Sequence, residues 1–184
     1  EIEFAVRTSP LPGQLPELGF LQMRPLVMRG EQQVERLDNV PDEALVARSS
    51  RVLGNGRIEG VRDILLVDRA RFDRAHSLDV AREIAQFNAR LVAEGRPYVL
   101  IGVGRLGSTD PWLGIPLRWD EIAGARAIVE TGMRDLIVTP SQGSHFFLNL
   151  TAFRVGYFTI IADAGEGFVD WAWLGAQPAV EETA

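Results

Sequence analysis

The chain has 184 residues, 46% of them apolar and 24% charged, with a formal net charge of −6. That size suits one ordinary globular domain, or one domain with part of a neighbour, and it can bury a core without staples. There is no cysteine, and all 19 basic residues are arginine, which excludes disulfides, thiolate chemistry, Schiff-base lysines and a phosphate-loop lysine. An acidic balance without a basic stripe interleaved with aromatics argues against nucleic acid as a partner. No apolar run approaches the roughly 18 residues of a spanning helix and no signal peptide opens the chain, so no membrane contact is expected. A cysteine-free composition fits the cytoplasm. The opening "EIEFAV" reads as mid-sheet, as in a piece cut from a longer polypeptide.

In chain order, "EIEFAV" (1–6) alternates polar and apolar residues as a half-buried strand does. A loop rich in proline and glycine leads to "FLQMRPLV" (20–27), and the two strands make a long-looped hairpin. The polar stretch over 29–43 reads as a linker. Residues 44–68 give two or three short strands punctuated by Gly54, Gly56 and Gly60.

"SLDVAREIAQFNARLVAEG" is the clearest helix, with Ser77 as N-cap, an apolar stripe of Val80, Ile84, Phe87 and Leu91, and Gly95 as its stop. "YVLIGVG" (98–104) reads as a buried strand, and a loop rich in Gly, Pro and Trp follows to a helical turn begun by Asp120. "ARAIVET" (125–131), "DLIVT" (135–139) and "YFTIIAD" (157–163) are strands, "HFFLNLTAF" is a second helix, and the tail over 176–184 frays. The order indicates α/β.

Three groups of residues invite chemistry. "GVGRLG" (102–107) matches the dinucleotide fingerprint, but Pro111 and Pro116 disrupt the helix that a Rossmann site requires. The glycines are then either a loop through which a phosphate meets backbone or a plain turn packing Trp112. Glu3, Gln22 and Arg24 can share one face of the hairpin, where a carboxylate suits Mg²⁺ and a guanidinium suits phosphate. A solvated polar sheet face is the plainer reading of the same pattern.

His145 follows Gly143 and Ser144 at the start of the second helix. A phosphoryl group on its ring would lie near unbonded amides and the positive end of the helix dipole, and a neutral imidazole is a good nucleophile. The plain alternative is an inert histidine packed beside Phe146 and Phe147. His76 carries no surrounding motif and reads as solvent-facing.

Two of these groups carry a resemblance. "EIEF…LQMRP" resembles the closing segment of the ATP-grasp domain in pyruvate phosphate dikinases and phosphoenolpyruvate synthases, where a D-I-E-W-type strand precedes L-Q-x-R-P. The resemblance implies that Glu3 is a magnesium- and nucleotide-site acid and that Gln22 and Arg24 lie near the ATP phosphates. "YVLIGVGRLGSTDPWLGIP", "GARAIVET" and "PSQGSHFFLNL" follow in the order of the swivelling phosphohistidine domain of the same enzymes. Gly143 stands where that family has threonine.

The resemblance implies a β/β/α swivelling domain over 44–175, preceded by an ATP-grasp hairpin over 1–28. His145 is then the phosphoryl carrier, Ser144 holds phosphoryl oxygens and Arg105 neutralises charge. It further implies ATP and Mg²⁺ as cofactors of the intact protein, with none bound to these residues alone. The implied partners are the upstream ATP-grasp domain and a phosphoryl-acceptor domain or small molecule. These residues by themselves are not expected to turn over ATP. Two rivals stand beside this reading: a non-catalytic interaction or scaffold module that keeps the fold, and a regulatory domain that binds phosphorylated metabolites through "GVGRLGSTDP".

Overall fold

The computed structural model describes residues 2–8, 15–23, 40–54, 56–133, 149–161, 165 and 167–183. The chain divides into two compact units, Glu1–Glu31 and Gln32–Ala184, and the division falls within the stretch expected to be a linker.

The first unit is a hairpin of β1 (Ile2–Arg7) and β2 (Glu17–Met23), paired antiparallel. β2 begins at Glu17 rather than at the expected Phe20, and residues 24–27 lie outside the described residues. Glu3 stands opposite Gln22 and Phe4 opposite Phe20, so Leu21 is the extra residue of a bulge. Alternation gathers Ile2, Phe4 and Val6 with Leu18 and Phe20 on one face, all of them exposed. Glu3, Arg7 and Glu17 belong to the other face, where Arg7 and Glu17 form a cross-strand ion pair of 3.1 Å.

The second unit is α/β, as expected. Its elements are β3 (Ala47–Ser49), β4 (Arg51–Leu53), β5 (Asp63–Leu66), α1 (Ser77–Ala93), β6 (Tyr98–Val103), β7 (Arg105–Leu106), β8 (Gly114–Ile115), β9 (Ala125–Thr131), β10 (Gly156–Ile160), β11 (Gly167–Val169) and α2 (Trp171–Ala176). Five strands form one sheet in the order β4-β10-β9-β6-β5. β5, β6, β9 and β10 run parallel, while β4 is antiparallel on β10.

The parallel strands follow one another in sequence order, and right-handed crossovers that step in one direction all fall on one face. The burial pattern agrees. α1 contributes Ala81 and Ile84, the β6–β9 connection contributes Leu106, Ile115, Leu117 and Ile122, and the β9–β10 connection contributes Leu150 and Val155 to a single cluster with Tyr98, Leu100 and Ile128. The opposite face, Ile101, Val129 and Ile160, is covered by the β3/β11 ribbon and α2 through Val46, Ala47, Val169, Trp171 and Leu174. β6 is sandwiched between the two clusters, which explains its continuous apolar run.

Helix α1 departs from the expectation at its start. Ser77 is its first residue, buried, and not its cap. The chain enters through a 3₁₀ turn (Arg74–His76) whose opening amide, Ala75 N–H, donates to the Asp73 carboxylate at 2.9 Å. Gly95, at φ +65°, ends the helix as expected, with Arg96 N–H donating to Leu91 O at 2.8 Å. The turn expected to begin at Asp120 begins at Trp119. Residues 149–152 are helical within the span expected for the second helix, and Arg154 closes that helix in the left-handed region at φ 55°. "DLIVT" lies outside the described residues. The tail runs back along α1, through Glu181 to Arg90 at 2.7 Å and Thr183 to Glu83 at 2.5 Å. Contacts as exposed as these locate the tail and contribute little to holding it.

Candidate functional site

Parallel strands all present their carboxyl ends at one edge of the sheet, the edge at which α/β folds bind ligands. Here that edge is built by the turns after β5 and β6 and by the ends of β9 and β10. β6 stops at Gly104, which turns at φ +69° and donates its N–H to Thr131 O at 2.8 Å. A Cβ on Gly104 would lie 2.4 Å from Met133 Cε and 2.8 Å from Leu113 O, so only glycine fits. The chain then forms β7, pairs it with β8, and buries Leu106 and Ile115 completely. Gly102 is bare because Leu106 lies over it; a Cβ there would meet Leu106 Cδ2 at 2.7 Å.

Several amides of this loop are engaged internally. Leu106 N–H donates to Glu130 Oε1 at 2.8 Å and Gly107 N–H to Ile115 O at 2.9 Å. Asp110 N–H donates to Ser108 Oγ at 3.1 Å, and Trp112 N–H to Asp110 Oδ1 at 3.0 Å. "TDPWL" is thus a 3₁₀ turn capped by Asp110 with Pro111 at its first position. The glycine run after β6 leads into a short strand and not a helix, in keeping with the rejection of a dinucleotide fingerprint. Gly102 and Gly104 serve close packing.

Beneath the loop lies a polar cluster that sequence reasoning passed over. Glu130, on β9, is 4% exposed; its Oε1 accepts Leu106 N–H, and its Oε2 accepts the hydroxyl of Tyr157, on β10. Thr131 Oγ1 donates to Gly102 O at 2.9 Å. The signal was present: an acid beside Ile128 and Val129 in a strand with no other acid stands out, since acids are rarely buried without partners. A second buried hub, Asn88 on α1, sat unnoticed inside the expected apolar stripe. Its Oδ1 accepts Tyr98 OH at 2.9 Å and Gly124 N–H at 3.0 Å, and its Nδ2 donates to Asp120 O at 3.2 Å. Burial holds the Tyr98 hydroxyl above the ordinary tyrosine range.

Of the residues singled out from sequence, Arg105 lies on β7, half-buried at this edge. Glu3 and Gln22 are cross-strand partners in the hairpin unit. Arg24, Ser144 and His145 lie outside the described residues. His76 is exposed, as expected, with Nδ1 3.6 Å from Asp79 Oδ2. Asp170 caps α2 by accepting Trp173 N–H at 2.8 Å. Among the described residues no three His, Asp or Glu side chains converge as metal ligands. No helix among the described residues is long and apolar enough to cross a membrane.

Comparison with known proteins adds no relative: no family model matches the chain, and no curated protein or solved structure matches it.

Proposed function

We propose that the chain is the end of an ATP-grasp domain followed by a swivelling-type domain, from a dikinase-like ATP-dependent phosphotransferase in which His145 carries the phosphoryl group. The observation that carries this reading is topological. The segment containing Ser144 and His145 follows Met133, just past the carboxyl end of β9, and rejoins the described residues at the helical turn 149–152. Met133, after which that segment begins, therefore stands at the edge where α/β folds meet their ligands.

Two further features support it. The layering of ribbon, sheet and helices in the second unit is compatible with a β/β/α domain, and the hairpin of the first unit is compatible with the "EIEF…LQMRP" resemblance. In the proposed step a ring nitrogen of His145 forms an N–P bond as the P–O bond to the departing nucleotide breaks. Ser144 holds phosphoryl oxygens and Arg105 neutralises their charge. Glu3, Gln22 and Arg24 belong to the rim of the nucleotide site, which takes ATP and Mg²⁺ in the intact protein. The "GVGRLG" loop is the weaker candidate for holding phosphate, because the amides of Gly104, Leu106 and Gly107 already have acceptors.

The test is to incubate the full-length polypeptide with ATP labelled at the γ or β position and look for acid-labile label. Label that maps to His145 and is lost in His145→Ala is the expected result. Label retained in that variant, or none in the wild type, removes the carrier role.

A further inference from the structure

Arg69 stands just past the carboxyl end of β5, in a turn organised by Asp68. Asp68 Oδ1 accepts Ala70 N–H at 2.7 Å, and Asp68 O accepts the N–H groups of Arg71 and Phe72 at 3.2 and 2.9 Å. Val67 N–H donates to Ile101 O at 2.9 Å, which keeps the base of the turn on the sheet. The Arg69 side chain is half-buried and reaches across to the end of β9, where its Nη2 donates to Met133 O at 3.3 Å. Among the described residues its buried Nε has no hydrogen-bond partner, and no other buried side-chain nitrogen or oxygen of those residues is so placed. It has no ion pair with any described carboxylate.

Buried donors are almost always satisfied, so an orphaned guanidinium N–H calls for a reason. The Nε hydrogen and one Nη2 hydrogen lie in the guanidinium plane and point in parallel from one edge of it, the edge with which arginine grips two oxygens of one anion. Nη2 has two hydrogens, and Met133 O takes one of them. The location, the carboxyl edge of a parallel sheet, is where such a grip is useful.

We propose that Arg69 is the anchor of an oxyanion site at this edge, holding a phosphate or carboxylate group side-on through Nε and Nη2. The site requires no phosphohistidine and stands whether or not His145 reacts. Nε is closed to solvent, so an anion reaches it only as the atoms over it give way. Binding therefore registers first at that N–H.

The test follows the arginine Nε–H resonances of the full chain by ¹H–¹⁵N NMR, with Arg69 assigned through bonds. Separate titrations use inorganic phosphate, acetate, and chloride at matched ionic strength. The expected result is a saturable shift of the Arg69 signal with phosphate or acetate and not with chloride; whichever acts names the anion class. Arg69→Lys keeps the charge and loses the paired donors, and should bind about tenfold more weakly. An Arg69 signal that does not move with either oxyanion, or moves equally with chloride, overturns the proposal, and the through-bond assignment keeps this readout valid if the lysine variant fails to fold.

Discussion

Removing the Asn88 amide should be among the most damaging single changes to the second unit. Asn88→Ala strands two donors at once, the Tyr98 hydroxyl, which is 0% exposed, and Gly124 N–H, and leaves Asp120 O without that partner. A buried group left unpaired costs about 1–3 kcal/mol, so two stranded donors and a small void amount to roughly 3–5 kcal/mol. Against a total of about 5–15 kcal/mol, the variant should fold but unfold at much lower urea. Tyr98→Phe alone removes one hydrogen bond and should cost about 1 kcal/mol. In the Asn88→Ala background the same change removes a stranded hydroxyl, so its cost should vanish or reverse. The cycle should thus show a coupling of about 1–2 kcal/mol. Equilibrium urea unfolding of all four proteins, followed by tryptophan fluorescence and far-UV circular dichroism, measures it. An Asn88→Ala cost below about 1 kcal/mol, or additivity with Tyr98→Phe, would refute the claim that this hub ties α1 to β6 and to the turn before β9.

Tyr98 also makes a pH prediction. Its hydroxyl titrates near 10 in an unfolded chain and, held up by burial, higher in the folded one. The unfolded state therefore loses its proton first, so stability present in full below that pH falls as pH rises past it, by up to about 1.4 kcal/mol per unit; Tyr98→Phe should flatten the decline in alkaline urea titrations. Gly104 and Gly95 both lie at positive φ, but a Cβ on Gly104 meets Met133, Leu113 and Gly114, while one on Gly95 meets nothing within 4 Å. Gly95→Ala should cost about 1 kcal/mol and Gly104→Ala at least twice that, measured as midpoints of urea unfolding; equal costs would remove the packing argument for the loop.

Much of the fold was legible because its signals are local. The stop at Gly95 needs only a residue that tolerates positive φ. The run "YVLIGV" needs only two apolar faces to declare itself buried, and "ARAIVET" coincides with β9. The start of α1 was misplaced because Ser77 has the chemistry of a cap while tertiary packing buries it, leaving Asp73 to open the chain's entry into the helix. The site was legible only in part. Arg105 and the "GVGRLG" loop could be put after a strand, but local spacing does not say which amides a distant carboxylate will take.

From composition and periodicity alone, the chain was bound to be α/β, free of thiol and lysine chemistry, and closed to a Rossmann reading once two prolines followed the glycines. Those conclusions depend on one residue's neighbours in sequence. Tertiary structure alone decided that Glu130 meets Leu106 and Tyr157, that Asn88 joins Tyr98 to Gly124, and that Arg69 reaches Met133 with a buried donor to spare. Each of these joins groups far apart in the chain, and a hydrogen bond depends on where two atoms come to rest rather than on how many residues separate them.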